Sequence, residues 1–228
     1  VSTPAGAAVL SQVVGRESRD GKHFVTFVFV AENVPSMGYR IYRVEASDTE
    51  TTVSDPLTVA SGAVTTPALI VNVDAATGQV SRLYDRAANR EVLPAGQQAC
   101  RLQLLGDTGD GWTISYTGAS SYLDSPTSFR VLETGPVRAR FEAVYKSGAS
   151  TYSQEILCYR GVNRVDARLA VDFQDQDLFL KAVIPVNLSS PTATFEVPFG
   201  TVTRSRDGHE VPLQKFMDIS AGTTYGLS

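Results

Sequence analysis

Scarcity is the first information in this sequence. It holds two histidines, two cysteines and one tryptophan. A zinc centre needs three or four His, Cys, Asp or Glu side chains converging on one ion. Here His23 and His209 lie far apart, and neither has a second ligand at i+2 or i+4. His23 opens an apolar run and reads as a structural or capping residue. Cys100 and Cys158 form no C-x-x-C pair, and Cys158 sits within the apolar Ile156-Leu-Cys-Tyr159. Two buried free thiols are expected rather than a disulfide. No apolar run approaches the ~18 residues of a membrane span. Val1 onward lacks the n- and h-regions of a signal peptide, so a cytoplasmic protein of bacterial type, without a membrane partner, is expected. The absence of an initiator Met reads as a piece cut from something longer. Charged residues make up only 19% of the chain, the net charge is −4, and the basic residues are scattered. That excludes the clustered Lys/Arg face a nucleic acid requires. Also missing are a G-x-S-x-G elbow, a phosphate-cradling glycine loop, a Cys–His nucleophile signature and any long stretch of helical periodicity.

What is present is period-two alternation. Val137, Ala139, Phe141, Ala143 and Tyr145 alternate with Arg138, Arg140, Glu142, Val144 and Lys146. Val165, Ala167, Leu169, Val171 and Phe173 alternate with Asp166, Arg168, Ala170, Asp172 and Gln174. Each run predicts a strand with one dry face and one wet face. His23 to Val30 is apolar on both faces and reads as a central strand, Tyr39 to Val44 as another. Leu178 to Val186 reads as a strand buried on both faces at one end. Phe195 to Thr203 reads as one strand, with Gly200 marking a bulge or close approach. Asp20-Gly21 and Asp74-Ala-Ala-Thr-Gly78 are turns. Residues 45–67 turn rich in Thr, Ser, Asp and Pro and form the candidate domain boundary. The fold class expected is all-β, an antiparallel arrangement of two large sheets face to face with more than a dozen strands.

Two features carry possible chemistry. The loop Arg204-Ser-Arg-Asp-Gly-His-Glu210 crowds two arginines, two acids and a histidine into seven residues. Held between strands, it suits a sugar, a phosphate or another domain, and it also fits an ordinary solvated hairpin tip. The guanidinium forks of Arg204 and Arg206 match paired oxygens better than lysine would. Trp112 follows the loop Gly106-Asp-Thr-Gly-Asp-Gly111. A lone Trp commonly anchors a core; the alternative is a flat ring lining a sugar subsite. Asp107-Thr-Gly-Asp110 is similar to a fragment of a calcium loop but lacks the further acids that six to eight oxygen ligands require.

The ordered set of motifs resembles glycoside hydrolase family 38, the class II α-mannosidases. Val34-Pro-Ser-Met-Gly-Tyr39 with Tyr42-Arg-Val44 looks like the family's V-P-x-x-G-Y-x-x-Y-x-V. Thr77-Gly78, Leu83-Tyr-Asp85 and Arg90-Glu-Val-Leu93 are similar to its T-G-x-I-x-S-L-x-D … R-E-V-L. Gly106-Asp107 with Trp112 resembles D-x-P-x-x-W-D-A-W, but lacks the second tryptophan. Gly135-Pro-Val-Arg138, Asp172-Phe173, Leu180-Lys181, Pro185-Val186, Val197-Pro-Phe-Gly200 with Arg204, and Glu210-Val-Pro212 with Asp218 follow in the family's order. The resemblance implies residues 1–46 as the end of a small β domain, 47–64 as a linker, and 65–228 as most of a galactose mutarotase-like supersandwich. It implies a retaining α-mannosidase whose nucleophile, acid/base carboxylate and zinc ligands stand on an α/β domain of the same chain, beyond a helical bundle. Zinc, or another divalent metal, would belong to the full-length enzyme only, and the fragment would be inactive alone. Arg204, Arg206 and Trp112 are then the substrate-binding candidates toward an α-mannoside glycan, with no catalytic residue and no metal ligand in this chain.

Two rival readings remain. A stand-alone carbohydrate-binding β-sandwich module would expose several aromatics on one face, whereas alternation places Phe24, Phe27, Phe29, Phe141 and Phe173 in strand cores. A mutarotase-like epimerase needs a catalytic acid–histidine pair in a concave face, for which His209 is the candidate base.

Overall fold

A computed structural model of the protein describes residues 1–46, 57–60, 62–208, 211–222 and 224–227, the last four as backbone alone. Among these residues there is no helix, hence none long and apolar enough to cross a membrane. The strands are β1 (Ser11–Arg19), β2 (Lys22–Phe29), β3 (Thr58–Ala60), β4 (Ala63–Thr65), β5 (Leu69–Val73), β6 (Val80–Asp85), β7 (Arg90–Glu91), β8 (Arg101–Asp107) and β9 (Tyr116–Tyr122). They continue with β10 (Ser128–Thr134), β11 (Arg138–Ser147), β12 (Ser150–Tyr159), β13 (Val165–Asp172), β14 (Leu178–Val183), β15 (Thr192–Val197), β16 (Gly200–Arg204), β17 (Met217–Ala221) and β18 (Thr224–Leu227). All pairings are antiparallel. The fold is all-β, as the alternation predicts.

The sheet β10-β11-β12-β13 is the common layer. Its dry face carries Ala139, Phe141, Ala143 and Tyr145 of β11, each no more than 2% exposed. On β12 the same face carries Tyr152, Gln154, Ile156 and Cys158. Half of this face meets Val64, Leu69, Val71, Val73 and Val80 of the sheet β3-β4-β5-β6-β7. The other half meets Leu102 and Leu104 of the sheet β14-β8-β9, with Leu123. The second layer is therefore two sheets rather than one. They are joined where the Val80 and Ala99 amides and carbonyls exchange hydrogen bonds of 3.1 and 2.9 Å. The wet face is held by ion pairs: Arg138 forks onto Glu133 at 2.8 and 2.7 Å, and Arg140 lies between Glu133 and Glu155. Of the range expected as linker, residues 47–56 and 61 lie outside the described residues, while β3 pairs with β4, which straddles the range's end and pairs onto β5.

Turn chemistry fixes the register. Asp20 and Gly21, with φ of 55° and 69°, form the two-residue tip between Arg19 and Lys22, the geometry that matches strand twist. At the β5–β6 turn Asp74 Oδ1 accepts the Ala76 N–H at 2.9 Å, and Gly78 takes φ 72°. A Cβ there would overlap both Ala143 and the Tyr145 hydroxyl, so glycine is demanded by packing and dihedral together. Tyr145 donates its hydroxyl to the Thr77 carbonyl at 2.6 Å. Gln12 of β1 stitches the N-terminal hairpin to the sandwich: its Oε1 accepts the N–H groups of Val137 at 3.1 Å and Arg138 at 2.8 Å. Gly135 leaves room for that side chain, and Gly161 does the same for Val30.

Several strand expectations need correction. The β2 run is not central: β1 and β2 form a two-stranded sheet, and Phe24 and Val25 are 39% and 47% exposed. The apolar pattern reports faces that require cover, and this hairpin is covered only near Phe29, which meets Tyr42 edge-on at 5.0 Å. Residues 39–44 form no strand but a single bridge, Ser2 to Arg43. Arg40 turns back to donate to the Glu32 and Asn33 carbonyls. The would-be dry face of β13 is open, because β13 is an edge strand, and Leu169, Val171 and Phe173 are 38–40% exposed. β14 is also an edge strand and only partly buried. Residues 195–203 are not one strand but a hairpin: Val197 pairs with Gly200 across Pro198-Phe199. Gly200 thus opens β16 instead of bulging.

Candidate functional site

The three residues singled out for sugar binding stand on two sheets. Trp112 tips the β8–β9 hairpin; Arg204 closes β16 and Arg206 follows it. No hydrogen bond or ring contact joins Trp112 to either arginine among the described residues.

The β8–β9 tip is an ordered structure. Asp107 Oδ1 accepts the N–H groups of Gly109 at 2.9 Å and Ser115 at 2.7 Å. Asp110 Oδ1 accepts the N–H groups of Trp112 and Thr113, both at 2.8 Å, and the Thr113 hydroxyl at 3.0 Å. The Trp112 amide, then Thr113, hold the Asp110 carboxyl below its ordinary pKa by stabilising the anion. The loop's Asp and Gly content is thereby accounted for, since each acid folds the backbone onto itself and Gly109 sits too close to the Thr113 carbonyl for a side chain. Trp112 does not anchor a core: its side chain is 96% exposed at the end of this braced tip. Size and apolarity pointed inward; the flanking turn residues were the signal that it projects.

Arg204 lies opposite Ala193 in the β15–β16 ladder and is half-buried. Its Nε is buried and has no hydrogen-bond partner among the described residues. A buried guanidinium donor without an acceptor is costly, and such groups commonly mark a ligand or partner position. Arg206 is exposed. Asp207 accepts the Ser205 hydroxyl at 2.8 Å, so part of the predicted charge cluster is local turn chemistry. His209 and Glu210, including the base considered for an epimerase, lie outside the described residues. His23 is exposed, its Nδ1 2.8 Å from the Ser18 hydroxyl directly across the β1–β2 hairpin.

One residue escaped the sequence reading. Phe199, at the β15–β16 tip, has φ 65° and a side chain exposed to the full. A bulky residue in the left-handed region costs about 1–3 kcal/mol, and full exposure recovers no burial. The Pro198-Phe199-Gly200 sequence was the available signal, because a type II turn with Pro at its first loop position places the next residue at positive φ. Two other expectations fail here. Phe24 and Phe173 are 39% and 40% exposed, so the case against a binding module from buried aromatics does not hold.

No three His, Cys, Asp or Glu side chains converge among the described residues. The described residues therefore do not fit a zinc ion. Cys100 and Cys158 are free thiols in one core cluster, and burial pushes their pKa values up to about 11 and about 12. A cavity of about 440 Å³ opens where the N-terminal segment meets the sandwich, lined in part by Glu32, Arg40, Tyr42 and Arg160. It includes none of the three candidate residues.

Residues 64–228 match the model of the glycosyl hydrolases family 38 C-terminal domain. This chain belongs to that family. The solved structures similar to it include a protein in glycosyl hydrolase family 38 from Enterococcus faecalis, at TM-score 0.74 and 13% identity over 96% of this chain and 31% of that one. Another is an alpha-mannosidase from Enterococcus faecalis V583, at TM-score 0.70 and 13% identity, covering 96% of this chain and 30% of that one. No curated protein matches. The family 38 domain described here thus spans about 31% of the length of the first of these structures, and at 13% identity the likeness is one of fold.

Proposed function

We propose that this family 38 domain is a wall of the sugar-binding cleft in a retaining, divalent-metal-dependent α-mannosidase of the bacterial cytoplasm. In this reading the nucleophile, the acid/base and the metal, zinc or another divalent ion, stand on an α/β domain of the same polypeptide, next to a helical bundle. The described chain contributes binding and orientation and does not hydrolyse mannosides alone.

The observation that carries the reading is the unpartnered, buried Arg204 Nε at the end of β16 away from the family-like Pro-Phe-Gly tip. It also favours Arg204 over the exposed Arg206. The guanidinium offers a fixed fork to paired sugar hydroxyls or to a carboxylate of the catalytic domain. Phe199 and Trp112 are flat, outward rings on strained or braced tips, the form needed to stack on a pyranose or seal a cleft. The test is steady-state kinetics of the intact enzyme on an aryl α-mannoside. A charged hydrogen bond is worth roughly 1.5–3 kcal/mol, so Arg204→Ala is expected to lower kcat/KM about 10- to 100-fold. Arg204→Lys is expected to recover little of that loss and Arg206→Ala to leave the value within about twofold. Wild-type kcat/KM in Arg204→Ala would refute the wall role.

A further inference from the structure

Beneath the hairpin tip that carries Trp112, the sheet β14-β8-β9 has one side packed on the core and one side open. Arg101, Gln103, Leu105 and Asp107 of β8 point to the open side, alternating with buried Leu102 and Leu104. The register places Tyr122 and Ser120 of β9 beside Gln103 and Leu105, and Lys181 and Phe179 of β14 on their other flank. Tyr116 leans across from Asp107, meeting Phe179 edge-on at 6.1 Å with the Lys181 ammonium 5.2 Å from its ring. Tyr116 and Tyr122 are 43% and 40% exposed. The result is a strip of half-exposed rings separated by an amide and a hydroxyl, the Gln103–Ser120 pair at 2.9 Å.

The arginine and aspartate charges on this strip are already engaged. Arg101 forks onto Asp124 and stacks at 3.6 Å on Tyr122. Arg101, then the Gln79 amide at 2.9 Å, hold the Asp124 carboxyl below its ordinary pKa. Asp107 is occupied by the hairpin's own amides. A phosphate-bearing ligand would find no uncommitted arginine here. The exposed aliphatic Leu169 and Val171 lie on a different sheet, on β13. Rings spaced by neutral hydrogen-bonding groups on an open sheet face match a neutral, hydroxyl-rich chain, whose C–H faces cover rings while its hydroxyls meet amide and hydroxyl partners.

We propose that the open face of β14-β8-β9 is a second glycan-binding surface, holding a neutral α-linked mannose oligosaccharide along the sheet toward the hairpin tip. It rests on the reading of the substrate as an α-mannoside. It does not rest on Arg204, so the two ideas fail separately.

The test is affinity electrophoresis of the intact protein in gels containing soluble α-mannan, paired with kcat/KM on a small aryl α-mannoside too short to reach the sheet. Tyr116→Ala with Tyr122→Ala is expected to weaken mannan binding at least about tenfold, as the loss of two ring contacts implies. Ser120→Arg, which removes no packing and blocks the strip, is expected to do the same and guards against misfolding of the tyrosine variant. Small-substrate kinetics should stay within twofold in both. Unchanged mannan affinity in the folded Ser120→Arg protein overturns the proposal. So does a parallel fall in mannan affinity and small-substrate kcat/KM, which would put the strip inside the catalytic cleft.

Discussion

The single side chain that most firmly joins the N-terminal hairpin to the sandwich is Gln12, and its removal has a calculable cost. Gln12 is 8% exposed, and its Oε1 accepts two backbone N–H groups while its Nε2 donates to Glu133 at 3.3 Å. Gln12→Ala strands the buried Val137 N–H and the half-buried Arg138 N–H. Each unsatisfied buried donor costs about 1–3 kcal/mol; with the second partly solvated, about 2–4 kcal/mol is expected. For a chain of this length 1 kcal/mol moves Tm by about 2–4 °C, so a fall of about 4–16 °C follows. Gly135 supplies an internal control. A Cβ at that position would overlap the Gln12 side chain, yet Gly135 does not have a positive φ. Gly135→Ala alone should expel Gln12 and cost a similar amount, whereas in the Gln12→Ala background it should cost under about 1 kcal/mol. Urea unfolding of the four proteins gives the coupling energy. Additive losses, or a Gln12→Ala loss below about 0.5 kcal/mol, would refute the stitch.

Three other outcomes are expected. Gly78→Ala meets a φ of 72° and an overlap with Ala143 and Tyr145 together, and should cost more than about 3 kcal/mol by denaturant titration. Phe199→Gly relaxes a left-handed dihedral and should raise stability by up to about 1 kcal/mol, while weakening KM for the α-mannoside in the intact enzyme. Cys100 and Cys158 have folded pKa values raised by burial from 9.0 to about 11 and about 12. The folded state therefore holds protons that the unfolded state releases. Their contribution to stability is complete below pH 9 and is lost as pH rises through the folded values. Native protein at pH 8 should leave both thiols unreacted with a thiol reagent, with both titrating after denaturation.

The sequence resolved best where neighbours in the chain also became neighbours in space. The β11 alternation predicts its dry face residue by residue, and the turns at Asp20-Gly21 and Gly78 declare their positive φ. It misled wherever apolar pattern met missing cover. β2 and β13 carry the residues of covered strands, yet Phe24, Leu169 and Val171 stand open, because alternation records what a face requires and not whether this chain supplies it. At the candidate site, the two arginines were visible but equal; only the buried, unpaired Nε separates Arg204 from Arg206. Trp112 was visible as a candidate ring, but its size suited a core position equally, and only its 96% exposure separates the two. Phe199 was passed over because a turn dihedral, not a pattern, makes it conspicuous. The open strip on β8 was hidden because it unites β9 and β14, which lie more than fifty residues apart in the chain.

In the proposed function, labour is divided between this domain and a catalytic one. The most direct test of that division is hydrolysis of an aryl α-mannoside by purified residues 1–228, shown to be folded by a cooperative thermal transition, with and without added Zn²⁺. No turnover above buffer is expected under either condition. Saturable, Arg204-dependent release of the aryl group by this polypeptide alone would contradict it.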